Sequence, residues 1–243
     1  MKGTTMQPQD NKKKPHEFDA FIENYRKNQD SHVALSGETG AFFAQYKAEK
    51  LYEWFPEYRT KRIDILDFGC GDGLMTELVH KTFPQARLFG VDPSEKSIQV
   101  AQQNFSNPLF AWFDGIRTAF QNQSMDLIFA AGVFHHIPLD QHQTCIDEIF
   151  RILKPGGQFV LFELNPINPL TQLTFRRSPV DRDATMLWPT YAKNLCSKYG
   201  ALKIKYYCFF PHFARNLRFL EPYMTKLCFG ALYAVIVKKG NRN

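Results

Sequence analysis

No apolar run in this 243-residue sequence is long enough to cross a bilayer. The longest, Leu127 to Phe134 and Phe229 to Val237, fall well short of the roughly 20 residues a spanning helix needs. No apolar stretch follows Met1, so no secretory leader is expected. Cysteine is sparse: Cys70, Cys145, Cys196, Cys208 and Cys228 are odd in number, and no two form a CxxC pair. This argues against a disulfide framework and against a cysteine-built zinc site, and it suggests reduced thiols in a cytoplasmic protein. Acidic residues are scarce towards the C-terminus. From Leu164 to Asn243 there are 13 Lys/Arg and 3 Asp/Glu, a balance of +10, which leaves −4 for the first 163 residues of a chain with net charge +6. That excess fits an acidic substrate, an anionic surface or a nucleic acid, or a merely solvated face.

What the chain does have is a regular alternation of short apolar strands and amphipathic helices. Residues 1–15 are polar, with Lys12, Lys13 and Lys14 in a row, and read as a disordered tail. Helices are expected over Glu17 to Asn28 and from Glu38 onward, where Ala44, Ala48, Leu51 and Phe55 share one face; together residues 16–60 would cover the ligand site. Strands follow at Ile63 to Phe68, Arg87 to Val91, Leu109 to Phe113 and Asp126 to Ala131. The turn Lys154 to Gly157 leads into a fifth strand, Gln158 to Glu163. Between them lie helices with Leu74, Leu78 and Val79, with Ile98, Ala101 and Phe105, and with Cys145, Ile146, Ile149, Phe150 and Leu153 inward. Ser94 and Asp140 are the expected N-caps of the last two. This pattern means an α/β fold, a mostly parallel sheet with helices on both faces, spanning residues 61–243 as one domain. Two late strands, Leu202 to Phe209 and Leu232 to Lys238, enclose a basic, aromatic insert.

The chemistry concentrates at Ile65 to Gly73, ILDFGCGDG, where an apolar strand runs into Asp67, Gly69, Gly71 and Gly73 and then a helix. Glycines at such a turn let a ligand lie against the main chain. Asp92, nineteen residues after Gly73 and at the end of the second strand, is placed to accept hydrogen bonds from ribose hydroxyls. Loop and acid together describe a nucleoside pocket. A dinucleotide fingerprint needs a third glycine at position 74, which is Leu74. Asp67 and Asp72 would also repel a pyrophosphate, whereas a sulfonium bearing an ammonium group suits them.

These residues resemble the class I S-adenosylmethionine-dependent methyltransferases, particularly the small-molecule group that includes the ubiquinone and menaquinone biosynthetic enzymes. The resemblance covers about Lys47 to Leu164. It rests on ILDFGCGDG, on FGVDPSEKSIQVAQ (Phe89 to Gln102), on MDLIFAAGVFHHI (Met125 to Ile137) and on ILKPGGQFVLFE (Ile152 to Glu163). It implies a Rossmann-like seven-stranded methyltransferase fold whose last strand, Leu232 to Lys238, is antiparallel. It also implies S-adenosyl-L-methionine as methyl donor and S-adenosyl-L-homocysteine as product. By position, the Asp67 to Gly73 loop, Cys70 included, would hold the methionine and adenosine portions. Asp92 would take the ribose, Pro93 would flank the adenine, and Asp114 with Gly115 would lie near the adenine amino group. Ala130 and Ala131 would line the methionine tail and the acceptor channel.

The acceptor is less defined. His135 or His136 would serve as a general base or brace the loop after the fourth strand. The group His135, His136, Asp140 and His142 matches no metal signature such as HExxH, and no metal is expected. Glu163 and Asn165 would orient an acceptor, or else Asn165 and Asn168 merely start turns. Segments at about 164–190 and 209–229 would cover the substrate, with Phe209, Phe210, Phe213 and Phe219 excluding water and Arg176, Arg177, Arg215 and Arg218 holding an anionic group. The alternative for the second segment is a packed helix with Phe213, Leu217, Leu220 and Met224 on its buried face. The acceptor is expected to be a small molecule or lipid-like metabolite; RNA or protein as acceptor, and a non-catalytic cofactor-binding scaffold, stay open.

Overall fold

The computed structural model describes Arg26, Asp30 and residues 33–241. The expected polar tail and the helix over Glu17 to Asn28 fall outside that range, apart from Arg26. Helix α1 (Gly40–Trp54) opens at Thr39, whose hydroxyl accepts from the Phe42 N–H, and buries Ala48, Leu51 and Trp54. From there strand and helix alternate: β1 (Asp64–Phe68), α2 (Leu74–Thr82), β2 (Arg87–Asp92), α3 (Glu95–Asn104), β3 (Leu109–Trp112), β4 (Met125–Ala131), α4 (His142–Ile152) and β5 (Leu153–Leu164). Helices α5 (Pro169–Arg177) and α6 (Pro189–Cys196) then precede β6 (Gly200–Tyr207) and β7 (Leu232–Lys239).

The seven strands pair in the order β3-β2-β1-β4-β5-β7-β6. Strands β1 to β5 are mutually parallel, and β7 runs antiparallel to both β5 and β6. Burial follows the period of two that a strand imposes. On one face Leu66, Phe68, Ile128, Ala130, Phe159 and Leu161 pack against Cys145, Ile146 and Ile149 of α4 and against Ala192 and Cys196 of α6. On the other, Ile65, Leu127, Phe129, Val160 and Phe162 meet Ala48, Leu51 and Trp54 of α1 and Met75 and Val79 of α2. Sequence order reverses between β1 and β4, and ligands of open α/β sheets bind at the carboxyl ends of the strands beside such a switch.

Several local expectations are corrected. Ser94 caps α3 by accepting from Ser97 N, but Asp140 caps nothing. Helix α4 begins after Gln141, with no side-chain cap. In α2 the buried residues are Met75, Thr76 and Val79, while Leu74 and Leu78 are only half-buried, because the helix axis turns its inward face one residue round. The turn Lys154 to Gly157 is a bulge inside β5, not a lead-in to it. Two steps along β4, Met125 to Leu127, face five along β5, Leu153 to Gln158. All five cysteines are free thiols, four buried and Cys228 half-buried.

The segment 209–229 departs most from expectation. Residues 212–220 form a 3-10 helix with no buried residue, followed by the short helix Glu221–Met224. Phe213 is 88% exposed, Tyr223 87% and Phe219 69%, so this is not a packed helix with Phe213 and Leu217 turned inward. Its anchor is Glu221, buried, whose carboxylate accepts from the Tyr46 hydroxyl and from the N–H groups of Phe209 and Phe210. Arg218 pairs with Glu38 at 2.6 Å and lies over the Phe42 ring.

Asn165, fully buried, ties this segment to the end of β5. Its amide donates to the carbonyls of Cys228 at 2.8 Å and Gly230 at 2.7 Å, and its oxygen accepts from Ile167 N. Asn168 caps α5 and donates to the Phe229 carbonyl. Asn165 lies away from the cavity lining, and both asparagines bond the backbone of the chain entering β7. Replacing Asn165 by Ala removes the partner of the buried Gly230 carbonyl and of the half-buried Cys228 carbonyl, a loss of about 2–3 kcal/mol. The melting temperature should fall by roughly 5–10 °C in a chain of this size. A scan showing wild-type stability in that variant would overturn this anchoring role.

Candidate active site

A cavity of about 1030 Å³ opens at the carboxyl ends of β1, β2, β3 and β4. That lies at the upper end of the range for ligand pockets. One half is walled by the loop after β1, by Asp92 and Pro93 after β2, and by Phe113, Asp114 and Gly115 after β3. The other half is walled by residues 131–139 after β4 and by the segment from Leu164 to Thr185.

The first half depends on the turn between β1 and α2. Gly69 sits at φ +83°, and a Cβ there would come within 2.7 Å of both Val133 methyl groups, so only glycine lets the two loops approach this closely. Gly71 is the reverse case: no atom lies within 4 Å of where its Cβ would be, and the bare backbone faces the cavity. Gly73 faces away from the cavity; its missing side chain makes room for Phe110 and Ala101, at 2.8 and 2.9 Å from a built Cβ. The backbone of the loop is held by β2, with Gly69 N and Cys70 N both donating to the Val91 carbonyl.

Carboxylates surround this half. Asp92 accepts from Gly71 N through one oxygen and from Ser94 N through the other, each at 2.9 Å, which fixes the carboxylate at the cavity wall. Asp67, 1% exposed, accepts from the Thr76 hydroxyl at 2.7 Å. Burial, reinforced by Asp92 and Asp72, pushes its pKa up to about 7 despite the Thr76 bond and the nearby Lys47. A carboxyl group so raised is stabilised as an anion by any cation that enters. Asp72 accepts from Arg26 Nε at 2.7 Å and caps Leu74 N, so part of the negative charge expected to repel a phosphate is already balanced. Asp114 organises the turn after β3, accepting from Ile116 N and Arg117 N. The Pro93 carbonyl takes the Trp112 indole N–H, leaving its ring on the cavity wall. Cys70 is no nucleophile: burial and the adjacent Asp92 and Asp67 push its thiol pKa up.

Sequence reasoning missed Lys47. It lines the cavity from α1; burial lowers its pKa, and the charges of Glu163 and Asp67 act in the opposite sense. A signal was present, because Lys47 stands three residues after Ala44 and four before Leu51, on the inward stripe of the helix.

In the second half, Ala131 lines the cavity while Ala130 is buried in the core. His135 and His136 lie on a 3-10 turn, Phe134–His136. Glu163 is buried and does not line the cavity. One of its oxygens accepts from Phe134 N at 3.0 Å and the other from His135 Nδ1 at 2.7 Å, so it positions the histidine rather than an acceptor. The Nε2 atoms of His135 and His136 lie 3.5 and 3.4 Å from Asp181 Oδ1. Burial opposes charge on His135, but Glu163 and Asp181 outweigh it and raise its pKa to about 10. The loop is braced by His142, which donates to the carbonyls of Phe134 and Ile137 and takes the Tyr191 hydroxyl.

The arginines proposed for an acceptor anion lie elsewhere. Arg176 and Arg177 border an adjoining recess with Ser178 and Arg182, which shares Phe175, Pro179, Asp181 and Ala184 with the cavity wall, and Arg215 bonds His212 on the surface. No residue of 209–229 lines the main cavity. The cover is instead the 164–185 segment, tied down by Thr185 N donating to the His135 carbonyl.

Comparison with known proteins agrees with this geometry. Residues 66–161 match a family model described as a methyltransferase domain. The chain is similar to a trans-aconitate 2-methyltransferase of Variovorax paradoxus, 36% identical over 93 residues, which cover 38% of this chain and 35% of that protein. It is also similar to a ubiquinone/menaquinone biosynthesis C-methyltransferase of Desulfotalea psychrophila, 26% identical over 119 residues, covering 46% and 48%. The chain thus spans between a third and a half of these relatives' length. A crystal structure of an S-adenosylmethionine-dependent methyltransferase from Thermotoga maritima, a possible histamine N-methyltransferase, superposes with a TM-score of 0.65. That match has 16% identity and covers 91% of this chain and 98% of the other. Residues 66–161 therefore match a methyltransferase domain, and the chain has the Rossmann-like fold of that solved S-adenosylmethionine-dependent methyltransferase.

Proposed function

We propose that this chain transfers a methyl group from S-adenosyl-L-methionine to a small-molecule acceptor, releasing S-adenosyl-L-homocysteine. The observation that carries the reading is the continuous cavity, with a carboxylate-lined half at the glycine turn and a second, less polar half under residues 164–185. The open backbone at Gly71 and the buried, cation-seeking Asp67 fit the cofactor by shape and by charge. Asp67 would face its ammonium group, Lys47 its carboxylate, Asp92 its ribose hydroxyls, and Pro93 with Asp114 and Gly115 its adenine. The cofactor supplies a methyl carbon on a sulfonium, already a good leaving group. What remains for the protein is alignment and exclusion of water. Residues 131–139 and 164–185 place the acceptor against the glycine turn, and Ile137, Leu139, Leu170, Phe175 and Val180 make that chamber apolar.

An acceptor with an apolar body and an anionic group suits this chamber, since His135 and His136 lie on its walls. The name of the Variovorax relative points to a carboxylic acid as that protein's substrate. In domain terms, residues 61–243 form the catalytic unit and residues 33–60 close its cofactor side. No helix among the described residues is long and apolar enough to cross a membrane, and with five free thiols we place the protein in the cytoplasm. Incubation with radiolabelled cofactor and a lysate fractionated into lipids, small molecules, RNA and protein tests the acceptor class. Label is expected in the small-molecule or lipid fraction; label in RNA or protein overturns it.

Binding gives a second test. Asp92→Ala removes hydrogen bonds to a charged acceptor, so affinity for S-adenosyl-L-homocysteine should fall about 10- to 150-fold by calorimetry, with no binding of NAD to either protein. Unchanged affinity removes Asp92 from the ribose.

The raised pKa of Asp67 gives a third. In the ligand-free protein Asp67 is protonated below about pH 7, and the product's ammonium group pairs only with the ionised form. Affinity should therefore rise as pH climbs to about 7 and then level off, gaining roughly 20-fold between pH 5.5 and 7.5. The Asp67→Asn protein should bind weakly with a flat profile. A flat wild-type profile would exclude Asp67 from the ammonium site.

A further inference from the structure

We propose that His135, His136 and Asp181 form a binding site for one divalent first-row transition ion in the acceptor half of the cavity. Adjacent residues on a 3-10 turn ordinarily diverge by about 120°. Here the two imidazole rings converge, their centroids 4.2 Å apart, and both present Nε2 to the same carboxylate oxygen. The three donor atoms lie within 4.8 Å of one another. The separations of 3.5 and 3.4 Å are too long for a strong hydrogen bond. They match the edge of a tetrahedron, about 3.3–3.4 Å, around an ion bound at ~2.0–2.1 Å.

The support around the donors is that of a built site. Glu163 Oε2 accepts from His135 Nδ1, the carboxylate–histidine relay that fixes the tautomer and aims Nε2 at a metal, and Glu163 is itself held by Phe134 N. A divalent cation at Nε2 would displace the proton that His135 carries between its two carboxylates and replace that positive charge. Two imidazoles and one carboxylate suit zinc, iron, cobalt or manganese rather than calcium. All three donors line the cavity, which gives the ion an entry path and leaves a coordination position on the acceptor side. Resting on the methyltransferase reading, that position would take an oxygen of a carboxylate or hydroxyl acceptor and favour its anionic form.

Tag-free, chelator-treated full-length protein titrated with Zn²⁺, and separately with Co²⁺, tests the site. Expected are one ion per chain at micromolar affinity or better and visible Co²⁺ bands of a low-coordinate site. Asp181→Asn and His136→Gln should each weaken binding at least tenfold, and Glu163→Gln about 10- to 100-fold. Circular dichroism identifies the variants that fold, and any one of them decides the matter. No uptake below millimolar Zn²⁺, or uptake equal in wild type and folded variants, overturns the site. Wild-type titration with S-adenosyl-L-homocysteine separates the two readings: cofactor bound without zinc sinks the ion site alone, whereas failure to bind cofactor sinks the methyltransferase reading.

Discussion

The loops after β1 and β4 meet at the point where the sheet reverses its sequence order, and the site depends on how closely they approach. Gly69 lies against Val133, with no room for a side chain between them. The consequence is one cavity rather than two clefts, because the loop that would embrace the cofactor and the turn that carries the histidines share a wall. The β2 end completes the arrangement: the Val91 carbonyl holds Gly69 and Cys70, and Asp92 holds Gly71. Packing and hydrogen bonding thus fix the backbone on which the chemistry depends.

Charge is distributed with a purpose that the net value of +6 hides. The cofactor half concentrates Asp67, Asp72, Asp92 and Asp114, and the buried Asp67 is unfavourable as an anion until a cation arrives. The acceptor half holds His135 between Glu163 and Asp181, with Lys47 at the boundary. The basic excess of the C-terminal third contributes little to either half. Arg215 is engaged by His212 on the surface, and Arg218 by Glu38.

The aromatic insert shows where pattern reasoning loses its hold. Phe213, Leu217, Leu220 and Met224 share a face only if the segment is α-helical, and a period of 3.6 was assumed. The backbone is a 3-10 helix with a kink at Ala214, so that face never forms and Phe213 turns to solvent. The hold on the segment comes instead from Glu221 and Asn165, two polar residues that satisfy backbone groups far away in sequence. Neither leaves a periodic trace.

The amino-acid sequence by itself determined the alternation of strands and helices, the parallel sheet, the glycine turn and the place of Asp92. Each of these is written in spacing within one strand–turn–helix unit, where neighbours in sequence are neighbours in space. The tertiary structure decided which charged groups meet. Lys47 comes under the influence of Asp67 and Glu163 because α1 brings it to the cavity wall, and its place on the inward stripe was the only local sign of it. Asp181 joins His135 and His136 because Thr185 N bonds the His135 carbonyl and folds the 164–185 segment back over β4. Forty-five residues separate Asp181 from His136, and no periodicity or motif spans that distance. Glu163 and Asn165, two residues apart on the same strand end, were candidates for one task and received two. The direction each side chain takes from the sheet placed Glu163 beneath a histidine and Asn165 among the carbonyls of the chain entering β7.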